Sequence, residues 1–371
     1  MSKIRLSRIL ILFLIIVLSV IDGYSDENEF SSDMGIQSVS IGGQWFLAYL
    51  DGTLDDERVN LFTVTRGYIN IKAKLNESLS GRITPDVSID QEGDGAGDLE
   101  LRLKYAYLKW SLPDVLFFTK PYFELGLVHR PWLNYEEYVI RYRVQGTMFL
   151  PRNGVVNSAD FGVTFVALLG GEMSKEYQKS VSKSYPGRYG SIVIGVYNGG
   201  GYHAFERNTN KPIEGRITLR PFPDFIPGLQ VSYTGAYGKG NTIKAPDWSL
   251  NMGYVSWETR RFTLTGSYYK GIGDFRGRAI DSLGNSLDQD GYSAYGELKF
   301  PKLNLGIIAR FDYFERHEFD EVINNRRYIA GISYWFYKNS KFLITFDRNE
   351  GPSFFASKKT DVIKYIIEVR F

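Results

Sequence analysis

Ten basic side chains, Arg66, Lys72, Lys74, Arg82, Arg102, Lys104, Arg130, Arg216, Arg220 and Arg310, stand at alternate positions of stretches whose other positions are largely apolar. Arg261 and Lys364 extend the set. Asp86, Asp90, Glu100, Glu124, Glu214, Glu297, Asp312, Asp347 and Glu368 share the same faces. Charges ranged along one surface make no bonds. They set up a field, and a basic excess inside a low-dielectric wall concentrates anions. Pairing of these charges across strands would instead leave weak selectivity.

Bond-making chemistry finds little support. The chain has no Cys, which removes a thiol nucleophile, a thiolate metal site and any disulfide framework. Its three His residues, His129, His203 and His317, are far apart and in no metal-ligand spacing. His129 falls on the apolar side of its stretch beside Leu125 and Leu127, with no orienting partner for hydrolytic chemistry. The stretch 90–101, DQEGDGAGDLEL, resembles a calcium loop at Asp90, Glu92, Asp94, Gly95 and Asp98. The twelfth position is Leu101 rather than a bidentate Glu, so an acidic loop is expected. Gly199-Gly200-Gly201 lacks the Lys-Ser/Thr of a phosphate loop. No enzyme, metal or cofactor is expected.

The segment 133–158, LNYEEYVIRYRVQGTMFLPRNGVVNS, carries Arg141, Arg143 and Arg152 with Glu136 and Glu137. Tyr135, Tyr138, Tyr142, Phe149 and Leu150 make it too apolar for a loop in water. A long connection of this kind is expected to be functional, folding inward to narrow a channel and bring its arginines to a permeating solute. A surface loop packed on its neighbours is the alternative.

Only strands can position side chains with a period of two. Sixteen candidates are read at 39–50, 61–75, 79–90, 99–107, 120–132, 159–169, 188–199, 211–221, 228–239, 247–258, 260–270, 290–300, 302–314, 326–337, 340–349 and 360–371. Segments 159–169 and 188–199 alternate poorly. In 61–75, Gly67, Ile69, Ile71, Ala73 and Leu75 oppose Arg66, Asn70, Lys72 and Lys74. In 99–107, Leu99, Leu101, Leu103, Tyr105 and Tyr107 oppose Glu100, Arg102 and Lys104. An even number of strands of about ten residues is the signature of a closed membrane barrel. The expected fold is all-β, a 16-stranded antiparallel transmembrane β-barrel with short periplasmic turns and long outer loops.

The connections divide accordingly. One alternate set, 76–78, 111–119, 170–187, 222–227, 259, 301 and 338–339, is short except for 170–187. The other, 51–60, 91–98, 133–158, 200–210, 240–246, 271–289, 315–325 and 350–359, is longer. Phe123, Phe262, Phe300, Phe336, Phe342 and Phe371 fall near the periplasmic ends of the apolar faces. Tyr49, Tyr237, Trp248, Tyr292, Phe311, Tyr328 and Phe346 fall near the outer ends, as two interfacial girdles require.

At the N-terminus, Lys3, Arg5 and Arg8 precede an apolar run from Ile9 to Val20, then Gly23 and Ser25. This predicts a signal peptide over 1–25, a periplasmic segment over 26–38 and the barrel over 39–371. The net charge is +2; without 1–25 it falls to zero, and no nucleic-acid partner is expected. The chain ends DVIKYIIEVRF, with Tyr365, Ile367, Val369 and Phe371 on one face and Ile366 breaking the alternation. A terminal Phe after alternating apolar residues is the pattern expected of a signal for the barrel-assembly machinery.

The stretches FTVTRGYINIKAKLNESLSGRITPDV, FELGLVHRPWLNYEEYVIRYR, VYNGGG, GYSAYGELKFP and ARFDYF occur in that order along the chain. Together they resemble the phosphate-selective porin O and P family. The resemblance implies a trimeric sixteen-stranded porin in the outer membrane of a diderm bacterium, in contact with lipid and lipopolysaccharide. Some members of that family select phosphate or polyphosphate through pore arginines and lysines. The short matching pieces define no residue-by-residue counterpart of that arginine ladder. The expected function is a passive channel for small hydrophilic solutes with an anion, including phosphate, preference. The alternative is a barrel acting as scaffold or adhesin through its outer loops.

Overall fold

The computed structural model describes residues 35–90, 97–318, 321–351 and 359–371. Segment 1–25 and all but the end of 26–38 lie outside the described residues, as does most of the acidic loop after Asp90. Sixteen strands run in chain order: β1 (Ser38–Leu54), β2 (Glu57–Lys74), β3 (Leu79–Ile89), β4 (Leu99–Ser111), β5 (Phe118–His129), β6 (Ala159–Leu169), β7 (Gly190–Tyr197), β8 (Ile213–Leu219), β9 (Leu229–Lys239), β10 (Asp247–Glu258), β11 (Phe262–Ile272), β12 (Asp288–Phe300), β13 (Leu305–Glu318), β14 (Glu321–Tyr337), β15 (Ser340–Glu350) and β16 (Thr360–Arg370). Each pairs antiparallel with its sequence neighbours, and β1 pairs with β16 to close the barrel. Every expected strand is present, including those over 159–169 and 188–199.

Closure explains the apolar C-terminus. Trp45 faces Val369, Leu47 faces Ile367 and Tyr49 faces Tyr365 across the seam, so neither the first nor the last strand is left as an open edge there. Leu47, Ile363, Tyr365 and Ile367 are each about 40% exposed on the outward side, while Phe46, Ala48 and Ile366 are buried inward. The Ile366 that interrupts the alternation is therefore an inward residue, packed with Val144 and Met148 in one apolar cluster. The Phe371 ring lies over Gly43, where a Cβ would come 2.2 Å from the ring.

Several expectations are corrected. Connections 51–60 and 315–325 are not long loops. β1 and β2 pair down to Leu54 and Glu57, joined by Asp55 and Asp56 at φ 49° and 66°, the left-handed pair that a tight two-residue hairpin needs. β13 and β14 likewise pair as far as Glu318 and Glu321.

Tyr105 and Tyr107 do not face lipid. Leu103 pairs with Pro85 and Tyr105 with Thr84, leaving Lys104 as an extra bulged residue that flips every later side chain of β4. Tyr105 then turns inward and is met by His129, their rings 4.1 Å apart. His129 belongs to the lumen, not to the apolar exterior, and its Nδ1 lies 2.9 Å from Glu124. Trp248 leaves the outer girdle for the same interior and is fully buried.

Candidate functional site

β5 stops at His129, and Pro131, which has no N–H to offer a ladder, follows at once. The chain turns into α1 (Leu133–Val139), a 3-10 turn at Arg143–Gln145 and α2 (Phe149–Arg152) before rejoining the wall as β6. This segment lies inside the barrel. Tyr135, Val139, Phe149, Leu150, Val155 and Val156 are buried in one cluster with Trp248, Leu250, Met252, Tyr254, Tyr269 and Phe314 of the wall. Leu133, Ile140, Tyr142, Val144 and Met148 share a second cluster with Phe46, Tyr68, Tyr295, Ile308, Leu343 and Ile366. Fully burying a Phe or Leu side chain contributes about 1.5–3 kcal/mol, so apolar contact alone seats the segment firmly.

Polar anchors fix its position. Arg152 Nη1 donates to Asp312 over 2.6 Å, and Gln145 Nε2 donates to Asp347 over 3.1 Å. The Tyr142 hydroxyl lies 2.7 Å from Glu297 and 2.8 Å from Ser333. Trp132 Nε1 donates to Glu136 over 2.7 Å, and Arg310 stands 3.7 Å from the same carboxylate. Burial pushes the Glu136 carboxyl up to about 7, against the pull of Arg310, the Trp132 N–H and Arg152 and with a further push from Asp312. The Arg152 guanidinium falls to about 9, because it is buried and shares its surroundings with Arg327 and Arg310.

The sequence-predicted basic residues are mostly inward, but most are held rather than loose in water. Arg66 reaches Asp86 at 3.0 Å, Arg130 reaches Glu214 at 2.5 Å, and Arg310 reaches Asp312 at 2.7 Å. Arg102 bonds Ser88 at 2.7 Å and lies 3.4 Å from Glu100. Lys104 is buried over the Tyr68 ring. Arg82 bonds Asn70 at 2.6 Å, and Lys74 pairs with Glu77 in a turn. Lys72 is exposed, in register with Arg82. Arg216 is stacked against Tyr135 and Tyr185, and Arg220 donates to Tyr177 over 2.8 Å. Arg141 approaches Glu258 at 3.7 Å, and Arg143 approaches Glu137 at 3.0 Å. The simple picture of solvated, unpaired lumen charges is therefore replaced by one of paired charges, between strands at Arg66–Asp86, within a strand or loop at Arg310–Asp312 and Arg143–Glu137, and between loop and wall at Arg130–Glu214.

The connection 170–187, the exception among the short turns, also turns inward. It carries α3 (Lys175–Ser180), and its Tyr185 meets Tyr135 and Tyr138 of the inserted loop. Arg141 donates to the Val181 carbonyl, so segments from the two ends of the barrel touch within it.

Two cavities open at the ends. The one at the short-turn end is about 550 Å³, lined by Arg141, Lys179, Arg260, Lys299 and Trp335. The one at the long-loop end is about 1370 Å³, where Arg66, Arg102, Arg207, Lys244, Arg276 and Arg278 outnumber Asp90 and Glu100. His203 lies in the same wall, its pKa lowered to about 4 by burial and by Arg276 and Arg102. Arg207, Lys244, Arg276 and Arg278 belong to connections, where no strand periodicity marks a side chain as inward. Charge balance does not mark them either, since Lys244, Arg276 and Arg278 are matched in 240–246 and 271–289 by Asp274, Asp281 and Asp288.

No protein-family model matches the sequence, and no curated protein matches it in a sequence comparison. Comparison with solved structures finds the same barrel architecture. OmpF of Salmonella typhi, solved in complex with daunomycin, has a TM-score of 0.60 at 11% identity over 90% of this chain and 97% of that one. An anion-selective porin from Comamonas acidovorans has a TM-score of 0.59 at 11% identity, over 90% and 99%. OmpT, an outer membrane protein of Vibrio cholerae, in its trimer form has a TM-score of 0.55 at 13% identity, over 90% and 98%. At these identities the likeness is one of fold.

Proposed function

We propose that the protein is an outer-membrane porin, a passive diffusion channel for small hydrophilic solutes with a preference for anions. The observation that carries this reading is the loop 133–158 seated inside a closed sixteen-stranded barrel, with a charged cavity at either end. Sixteen strands enclose more space than side chains of the wall can fill, and an inserted loop reduces that space to a constriction. The outward face is an apolar band suited to lipid, and the short-turn end is assigned to the periplasm.

Anion preference rests on the long-loop cavity rather than on the strand charges, most of which are paired. Inside that cavity a solute meets several arginines before it meets the constriction, and guanidinium groups suit oxyanions such as phosphate. Arg141, Arg143 and Arg152 are assigned to the constriction segment together with Glu136 and Glu137, with Arg141 lining the far cavity. A homotrimer, a surrounding of lipid and lipopolysaccharide, and recognition by the barrel-assembly machinery through Tyr365, Ile367, Val369 and Phe371 complete the reading. The anion-selective and trimeric neighbours support it.

Planar-bilayer recording tests the proposal. Ohmic single-channel steps, with a reversal potential in a salt gradient displaced toward anions, are expected. Reproducible absence of steps would move the protein to the scaffold or adhesin reading. A cation-side potential would remove the anion preference alone.

A further inference from the structure

Asp290 on β12 and Glu315 on β13 stand directly opposite each other in the ladder. They alternate with Gln289, Phe314 and Arg316, which are buried inward, so both carboxylates point away from the lumen. Like charges facing each other across a strand pair destabilise it, and here two acids share one position of the outer wall. His317, one step further along the same face of β13, brings Nε2 to 3.1 Å from Asp290 Oδ1 and 3.5 Å from Glu315 Oε1. The three ligand atoms all lie within 4.8 Å of one another. Lys270 is in register with Asp290 on the β11 side, but among the described ion pairs Asp290 meets His317 alone.

We propose that Asp290, Glu315 and His317 form a binding site for a first-row divalent metal of the Zn2+ type on the outer wall of the barrel. One imidazole nitrogen with two carboxylate oxygens is a zinc-type donor set, and bond lengths of about 2.0–2.1 Å in a tetrahedron put ligand atoms about 3.3–3.4 Å apart. The observed separations of His317 from its two partners bracket that range. The Tyr313 hydroxyl donates to Glu315 Oε2 over 2.5 Å, which holds the carboxylate in place and leaves Oε1 for the metal. Tyr313 is itself fixed by stacking on Tyr292, their rings 5.2 Å apart. Those tyrosines belong to the aromatic belt of the outer interface, and the site lies one residue pair beyond them. A fourth coordination position there faces the headgroup zone, where water or a lipid phosphate oxygen can complete the shell. The site goes beyond the channel reading and does not depend on it, since it lies outside the lumen.

The test uses the full-length barrel in detergent, titrated with Zn2+, and with Co2+ as a spectroscopic substitute. One equivalent of Zn2+ and the intense visible absorption of tetrahedral Co2+ are expected. H317A and E315Q should each weaken binding at least tenfold. Y313F, which keeps all three ligands, should weaken it by about tenfold. Native heat-shifted mobility on gels checks that each variant is folded, and H317Q replaces H317A if the smaller side chain prevents folding. Absence of binding to the native protein overturns the proposal, and so does unchanged affinity in the folded His317 variant. Displacement of Zn2+ by millimolar Mg2+ overturns the imidazole-based assignment.

Discussion

The Tyr142 hydroxyl donates to Glu297 over 2.7 Å and meets Ser333 at 2.8 Å, joining the segment between β5 and β6 to β12 and β14 on the opposite wall. Tyr142→Phe keeps the ring in its apolar cluster and removes both contacts. Leaving the buried Glu297 short of a donor costs about 1–3 kcal/mol. More frequent open-level fluctuations, with a higher mean conductance, are expected in single-channel records.

Asp312 holds Arg152 from the inserted loop and Arg310 from its own strand. Asp312→Asn takes from both buried guanidinium groups their nearest carboxylate, leaving Arg310 the more distant Glu136, and removing one partner of a buried pair costs about 3–5 kcal/mol. The variant should lose its heat-shifted gel form at a clearly lower temperature than the native barrel. An unchanged transition would mean that water solvates these arginines.

Glu136 gives the loop a pH dependence. Its carboxyl is raised to about 7 when docked and returns to the ordinary range near 4.5 when released. The docked state therefore binds the proton more readily. Its contribution is fully present below pH 4.5 and is lost as pH rises through about 7, by roughly 3 kcal/mol in all. The groups facing it are Trp132, Arg152, Arg310 and Asp312. Conductance noise should grow between pH 5 and 8, and Glu136→Gln should flatten that profile.

The long-loop cavity and the inserted loop are the two proposed sources of selectivity, and substitutions separate them. Combined Ala substitution of Arg207, Arg276 and Arg278 should move the reversal potential toward cations. The Arg141→Ala, Arg143→Ala pair should move it less, because Arg143 is already matched by Glu137 at 3.0 Å. The opposite ranking would return the selectivity to the constriction.

The closing contact concerns assembly. Phe371 exchanges backbone hydrogen bonds with Gly43, at 3.0 and 3.2 Å, and its ring covers that glycine. Deleting Phe371 should lower the yield of folded barrel in membranes while leaving the conductance of surviving channels unchanged. Gly43→Val, which drives a side chain into the same ring, should do likewise.

The strands were legible because a wall between lipid and lumen imposes a period of two on all sixteen. Where the ladder carries an extra residue, as at Lys104, the period shifts, and Tyr105 and Tyr107 change sides without any mark in composition. Leu250, Met252 and Tyr254 are apolar yet inward, since the loop gives them an apolar partner that alternation cannot reveal. The loop itself could be picked out by its aromatic content. Its partners could not, because Glu297, Asp312 and Asp347 lie more than a hundred residues downstream.

That separation orders the construction of the molecule. The loop follows β5, but its anchors sit on β12, β13, β14 and β15, and Lys364 of β16 donates to the Gln145 carbonyl. A chain with its second half still unbuilt offers the loop Phe46 and Tyr68 but none of these polar anchors. Docking of the loop is thus a record that the last strands have arrived, and the barrel acquires its narrow waist only once its circumference is complete.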